Sequence, residues 1–265
     1  MIYRRKITHT HKIKSIYIVM MCIALLNGMM CQLIYWNNDD EQFAISPFFL
    51  FAMLSVLMHI IKQPVKTTQF YYLSIVVLLI FSIIPSSTVA WLGVLIVALL
   101  NLLSKKHKVA GDLLFVALPI AFLWKSLLFK LFAGQLLTIE SLAMTYFLSF
   151  LHPDVQVINN LITINQSHAL LISTGCSLFS NLCLILLCWL SVYTLFSNSL
   201  PLFKRLNFVV LMSVFINFMR IFVMSFDYDS YLYMHGSQGS LIIELCLLIL
   251  LLSAIPTNKK ESAYA

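Results

Sequence analysis

The sequence predicts an all-α, polytopic integral membrane protein, and two observations carry this prediction. Of its 265 residues, 61% are hydrophobic and 10% are charged, and the mean hydropathy is +0.93. About 25% of the residues in a soluble domain are charged. Apolar stretches close to the ~20 residues that a membrane-spanning helix requires also recur along the chain. Little chain remains for a soluble domain, so residues 1–265 are interpreted as a single transmembrane domain.

Eight apolar stretches are predicted to be transmembrane helices. They cover residues 15–36, 46–61, 70–84, 87–103, 111–132, 177–196, 207–226 and 239–255. The first has no small-residue cleavage pattern and is interpreted as a retained span rather than a signal peptide. Residues 46–61 and 70–84 are short for a full crossing, so a re-entrant hairpin is the alternative there. That alternative leaves the orientation of the later spans unchanged.

The basic residues predict that both termini are cytoplasmic and that the protein lies in the cytoplasmic (inner) membrane. Fourteen of the 17 Lys and Arg residues lie outside the spans, in segments that alternate along the chain and are predicted to face the same side of the membrane. These segments are residues 1–14, 62–69, 104–110, 197–206 and 256–265. Cytoplasmic loops are enriched in Lys and Arg. The net charge of +7 is spread over these segments and forms no single stripe. We therefore expect contact with membrane lipid and no nucleic acid partner.

The longest outward segment, residues 133–176, is predicted to contain two kinds of structure. Residues 136–151 have the pattern of an amphipathic helix lying on the membrane, and residues 168–174 favour an extended strand. The sixth span then begins at the outer face, with Cys176 in its first turn. Ser173 or Thr174 is predicted to cap this helix. Helix amino termini favour anions, so this position favours the nucleophilic thiolate. The alternative is that Cys176 is only a small buried hydrophobic residue.

Two further reactive side chains are predicted to approach the same face. Arg220 lies six residues before the outer end of its span, about 9 Å below the surface, where a charged residue normally has a functional role. The alternative is a structural ion pair with Glu244 at similar depth, and the two interpretations are compatible because a carboxylate can orient a guanidinium group. Asn217 lies one helical turn earlier in this polar layer. His235, just before the last span, is either a proton carrier or a solvated loop histidine.

Three short segments carry a resemblance to a known family. Gly175-Cys176-Ser177 opens one span, Asn217-Phe218-Met219-Arg220 lies in the next, and His235-Gly236-Ser237-Gln238-Gly239 precedes the last. This resembles the exosortase/archaeosortase family, in which Cys-Ser-Gly or Cys-Thr-Gly, Asn-x-x-Arg, and His with Gly four residues later lie on consecutive spans. The resemblance is specific over residues 168–243. Leu178 departs from the pattern, because the family normally has Gly at that position, and this bears on the subfamily and its recognition sequence.

The resemblance implies a membrane cysteine protease or transpeptidase with its active site at the extracytoplasmic face. Its substrates would be exported proteins that end in a short motif, a transmembrane helix and a basic tail. Cys176 would be the nucleophile and form a thioester, His235 would exchange protons, and Arg220 would stabilise the oxyanion. Ser177, Asn217 and Glu244 would support these groups. The sequence contains no Gly-rich phosphate loop and no spacing typical of metal ligands, so no cofactor and no metal are expected.

Three alternatives come from other functional classes. A multi-pass transporter would use a polar pathway formed by intramembrane polar side chains, which here would be His59, Asn217, Arg220 and Glu244. Broken helices and paired inverted segments, which typify many transporters, are not evident in a chain with only 7 Gly and 7 Pro. A metal-dependent hydrolase is the second alternative, but the sequence contains no HExxH and no paired CxxC spacing. A noncatalytic partner in polysaccharide or protein export would use Cys176 for packing alone.

Overall fold

The computed structural model describes residues 2–34, 46–64, 66–152, 154–164 and 168–255. The described chain is mostly helical, which agrees with the predicted all-α class. Its helices are α1 (Ile2–Ile34), α2 (Pro47–Lys62), α3 (Thr68–Ile83), α4 (Ser87–Leu103), α5 (Ala110–Leu123), α6 (Phe129–Leu148), α7 (Leu178–Phe196), α8 (Phe203–Met224), α9 (Tyr228–His235) and α10 (Ser237–Leu252). Each predicted span overlaps at least one of these helices.

Within the described residues, four helical segments are long and apolar enough to cross a bilayer, which indicates a membrane protein. These segments are His11–Met30, Ala110–Leu148, Leu178–Phe196 and Phe203–Met224. Shorter apolar helices occur at Pro47–Lys62, Thr68–Ile83, Ser87–Leu103 and Leu241–Leu252. The count of eight spans and the cytoplasmic position of the termini stay predictions. The predicted inward segment 256–265 lies outside the described residues.

One helical boundary differs from the prediction. The span predicted over residues 111–132 and the separate amphipathic helix predicted over 136–151 belong to one helical run, Ala110–Leu148. A π-helical segment, Trp124–Leu128, joins α5 to α6 within it. The junction contains no proline, and the single glycine, Gly134, costs a helix only about 1 kcal/mol. Helix therefore continues where a loop was expected.

The chain divides into two compact units, Met1–Leu127 with Leu190–Leu200 and Leu128–Trp189 with Pro201–Pro256, so far as these ranges are described. In the first unit, α1 packs against α3 and α4, and α5 packs against α2 and α4. Its core contains Trp91 stacked on Phe122, with ring centroids 4.9 Å apart, and Phe49 edge-on to Trp91 at 5.3 Å. Large apolar side chains thus hold this helical unit together.

A buried carboxylate organises the polar groups of the first unit. Asp112, fully buried, accepts hydrogen bonds from Asn101 Nδ2 at 3.1 Å and from Lys105, and lies 3.0 Å from His59 Nε2. A Cβ on Gly111 would overlap the imidazole of His59. His59, which the transporter hypothesis assigned to a polar pathway, is therefore held in a local network with Asp112.

The second unit contains a three-stranded antiparallel sheet, ordered β1 (Val155–Ile158), β2 (Leu161–Ile164), β3 (His168–Leu171). Strands β1 and β2 are joined by the two-residue turn Asn159-Asn160, where Asn159 has φ 57°. This left-handed conformation suits asparagine and is typical of tight hairpins. The sequence predicted an extended segment only at β3. The hairpin of β1 and β2, which packs against α6, was missed.

Candidate active site

The candidate nucleophile lies in the turn between β3 and α7. The N–H of Cys176 donates to Ser173 O at 3.1 Å, which closes the turn, and Cys176 is only 3% exposed. Helix α7 begins at Leu178, so Cys176 precedes the helix instead of lying in its first turn as predicted. The predicted cap at Ser173 or Thr174 is also wrong, because Ser177 Oγ accepts the N–H of Ser180 at 3.4 Å.

The amino terminus of α7 is occupied by a carboxylate that the sequence did not reveal. Glu140, in α6, is 7% exposed and accepts three hydrogen bonds. Ser177 Oγ and the Leu178 N–H donate to it, each at 2.6 Å, and Asn217 Nδ2 donates at 3.1 Å. An anion is favoured at a helix amino terminus. Glu140 fills the anionic position that the sequence assigned to the Cys176 thiolate.

Ser177 and Asn217, two of the three supporting residues named from the sequence, are therefore brought together by Glu140. A signal for Glu140 was present in the chain. Leu137, Glu140 and Met144 recur at the spacing of one helical face, and all three are buried. A carboxylate on an otherwise apolar face usually has a partner in the protein interior. Interpreting this segment as a surface-lying helix obscured that signal.

His235 lies directly beside the sulfur of Cys176. It ends α9, a helix that begins after Asp227, whose Oδ1 accepts the N–H of Ser230 at 2.6 Å. The distance from His235 Nε2 to Cys176 Sγ is 3.4 Å. Partial burial, and then the positive charge of Arg220, lower the pKa of His235. At neutral pH the imidazole is therefore mostly uncharged and able to accept a proton.

Arg220 lies close to His235 but has a different partner from the one predicted. Its Nη2 donates to the Met234 carbonyl oxygen at 3.3 Å, and its buried Nε has no hydrogen-bond partner within the described part of the chain. The predicted ion pair with Glu244 is not formed, and Glu244 is exposed. Helix α10 contacts α9 through Gly239, and five residues rotate a helix by about 140° from that contact. Glu244 therefore lies on a different face of α10 from the contact with α9, and it is exposed.

The spacing between His235 and Gly239 has a steric explanation. A Cβ at Gly239 would overlap the Cα of Met234 and would lie 2.6 Å from the Tyr233 carbonyl oxygen. Only glycine lets the start of α10 approach the last turn of α9 this closely. This contact fixes the end of α9 and thereby the position of the imidazole beside the thiol.

The site is best interpreted from its own chemistry. No protein-family model matches the chain, and neither does any curated protein or solved structure. Among the described residues, no group of three or more His, Cys, Asp or Glu side chains is arranged to hold a metal ion. A thiol beside a neutral imidazole, with a guanidinium group close to the imidazole, is a set of groups suited to nucleophilic attack on a carbonyl. The catalytic roles predicted for Cys176, His235 and Arg220 remain predictions.

Replacing Gly239 with Ala tests whether this close contact positions the imidazole. The added methyl group should push α10 from α9, displace His235 and slow alkylation of Cys176 by iodoacetamide at neutral pH by roughly tenfold, because His235 would no longer receive the thiol proton. The measurement is mass spectrometry of the digested protein. Gly134→Ala is the matched control, since its Cβ would meet no atom within 4 Å. Equal alkylation rates in the two variants would argue against the positioning role.

Proposed function

We propose that this protein is an exosortase-like membrane cysteine protease or transpeptidase. Its substrates would be exported proteins whose carboxy terminus carries a short motif, a transmembrane helix and a basic tail. The observation that carries the proposal is the 3.4 Å separation between Cys176 Sγ and His235 Nε2. Arg220 supports the proposal further, because its positive charge is close enough to lower the pKa of His235. Cys176 and His235 also occur in the order and at the spacing of the motifs that characterise the exosortase/archaeosortase family.

The reaction follows from the chemistry of the pair. Neutral His235 accepts the thiol proton of Cys176, and the thiolate attacks the carbonyl carbon of the scissile peptide bond. A C–S bond forms and the carbonyl oxygen becomes an oxyanion. The C–N bond then breaks, and the imidazolium donates its proton to the departing amine, which leaves with the substrate's membrane helix. Water or another amine attacks the resulting thioester, breaks the C–S bond and regenerates Cys176.

Arg220 would stabilise the oxyanion. One of its nitrogens, Nη2, donates to the Met234 carbonyl, whereas Nε is buried with its hydrogen unpaired within the described residues. An unpaired buried donor costs free energy unless another acceptor satisfies it. An oxyanion is a strong acceptor that exists only during the reaction, so this donor would favour the transition state over the ground state.

The proposed position of the reaction is the outer face of the cytoplasmic membrane. In the topology predicted from the Lys and Arg residues, the turn before α7 and the turn between α9 and α10 are both extracytoplasmic. The region that follows the cleaved motif in a substrate, an apolar helix with a basic end, would span the same bilayer and hold the motif at that depth. The proposed substrate class therefore suits the proposed depth of the thiol.

Trapping the thioester tests the proposed function directly. Membranes containing the full chain are quenched in acid, digested and analysed by mass spectrometry for the peptide that contains Cys176. We expect a polypeptide adduct on this residue that neutral hydroxylamine removes, since hydroxylamine cleaves thioesters. Cys183→Ala, which alters another cysteine of the same segment, should keep the adduct. A Cys176 that is always unmodified, or an adduct that resists hydroxylamine, would reject the proposal.

A further inference from the structure

The outer edge of β3, which is the edge that faces away from β2, presents backbone groups that are not used by the sheet. Strand β3 is an edge strand. The N–H of Ile172 donates to Asn160 O at 2.9 Å, which makes these opposite residues a hydrogen-bonded pair at the end of the β2–β3 ladder. Bonded and non-bonded pairs alternate in an antiparallel ladder. The N–H and C=O groups of Ala169 and Leu171 therefore point away from β2, and no bond to them occurs among the described residues.

This edge is both exposed and rigidly held. Leu171 is 48% exposed. At the start of the strand, the His168 ring lies 3.3 Å from the Met224 carbonyl oxygen. At its end, Asn160 Nδ2 donates to the Ile172 carbonyl oxygen at 3.0 Å. Edge strands that must avoid pairing usually carry lysine or proline, and β3 has neither. It is a preformed template for one more strand.

The edge lies within reach of the thiol. The ends of a β-turn are less than about 7 Å apart, so the turn from Ser173 to Cys176 brings these two Cα atoms close together. Two extended residues from Leu171 to Ser173 add about 7 Å more. The Cα atoms of Leu171 and Cys176 are therefore at most about 14 Å apart, the length of roughly four extended residues.

We propose that the outer edge of β3 binds the substrate polypeptide as an added strand. The backbone of the substrate would exchange hydrogen bonds with Ala169 and Leu171, and its next few residues would carry the scissile carbonyl to Cys176. The inference rests on the proposed function, which requires an extended polypeptide beside the thiol. Strand addition provides affinity through main-chain hydrogen bonds that do not depend on the side chains of the bound segment.

The test uses peptide chloromethyl ketones. The Cys176 thiolate attacks the chloromethyl carbon of such a probe, displaces chloride and forms a C–S bond. The probes are acetyl-alanine and acetyl-pentaalanine chloromethyl ketone, applied to the purified full chain in detergent. We expect the longer probe to alkylate Cys176 about tenfold faster, because it gains backbone hydrogen bonds. Two further versions of the long probe each carry one methyl group on a backbone nitrogen, at one or the other of two adjacent alanines. Only alternate residues of an added strand donate to β3, so one methylated probe should lose the rate advantage of the long probe and the other should keep it.

Two proline variants form a matched pair for the same measurement. Leu171→Pro removes an outward N–H from β3, whereas Val157→Pro removes an outward N–H from β1 at the opposite edge of the sheet, where proline is likewise tolerated. Leu171→Pro should lose the length advantage and Val157→Pro should keep it. A length advantage that survives Leu171→Pro would overturn the proposal. Should Leu171→Pro fail to fold, the two methylated peptides decide the question on the unaltered protein.

Iodoacetamide separates a failure of this proposal from a failure of the proposed function. It has no peptide backbone and reports only the reactivity of Cys176. Fast alkylation that depends on His235, combined with equal rates for the short and long peptide probes, would reject strand addition and leave the nucleophile intact. Alkylation of Cys176 by iodoacetamide that is unchanged in His235→Ala would instead reject the proposed function.

Discussion

The Cys176→Ala variant is expected to insert into the membrane as the unaltered protein does and to process no substrate. Without the thiol no thioester forms, and loss of an enzyme's nucleophile typically lowers kcat by at least about 10³-fold. The measurement is quantitative proteomics of membrane fractions, in which uncleaved carboxy-terminal peptides should accumulate for proteins that end in a shared motif, an apolar helix and basic residues. Their accumulation would also identify the motif.

Cys188→Ala is the matched control for this experiment. Cys188 and Cys176 are both 3% exposed, so the two substitutions remove the same atoms from similarly buried positions. The control variant should process normally, since the thiol of Cys188 has no place in the proposed reaction. Normal processing by Cys176→Ala would contradict the nucleophile assignment. Equal losses in both variants would indicate that only packing had been disturbed.

Glu140→Gln is expected to destabilise the protein and to remove the reactivity of Cys176. Ser177, Leu178 and Asn217 all donate to the Glu140 carboxylate, and a glutamine amide would place its own donor against them. A buried group left unsatisfied costs about 1–3 kcal/mol, so the free energy of unfolding should fall by roughly 3 kcal/mol. Thermal unfolding followed by tryptophan fluorescence in detergent measures this change, and iodoacetamide measures the thiol.

Glu244→Gln separates the effect of this contact from that of losing a negative charge. Glu244 is exposed and has no ion pair with Arg220, and exposed substitutions usually change stability by less than about 0.5 kcal/mol. Its melting temperature and alkylation rate should therefore match those of the unaltered protein. If Glu140→Gln behaves like Glu244→Gln, the organising role of Glu140 is wrong.

The helices were the most predictable part of the structure. Long apolar runs have few alternatives to helix in a membrane, because every backbone polar group must be satisfied within the segment. The proximity of Cys176 and His235, which are 59 residues apart in the chain, followed from the order of the spans and the motif spacing. Neither local propensity nor composition would have brought these two side chains together.

The contacts around the site were less predictable because they depend on helix rotation and exact helix ends. Glu244 was paired with Arg220 by depth alone, but it lies on a different face of α10 from Gly239 and is exposed. Glu140 was missed because its segment was interpreted as lying outside the core. The hairpin before β3 carried a short turn signal, Asn159-Asn160, which has force only when strands are already suspected on both sides.

The Glu140 carboxylate has a consequence for how the second unit opens. Glu140 belongs to α6, and its carboxylate accepts hydrogen bonds from the start of α7 and, through Asn217, from α8. Releasing any one of these helices leaves the others with unsatisfied polar groups, so their local unfolding is coupled. The residues around Cys176 should therefore exchange their amide hydrogens as one cooperative block, and a transiently loosened thiol would be found only when all three helices have parted together.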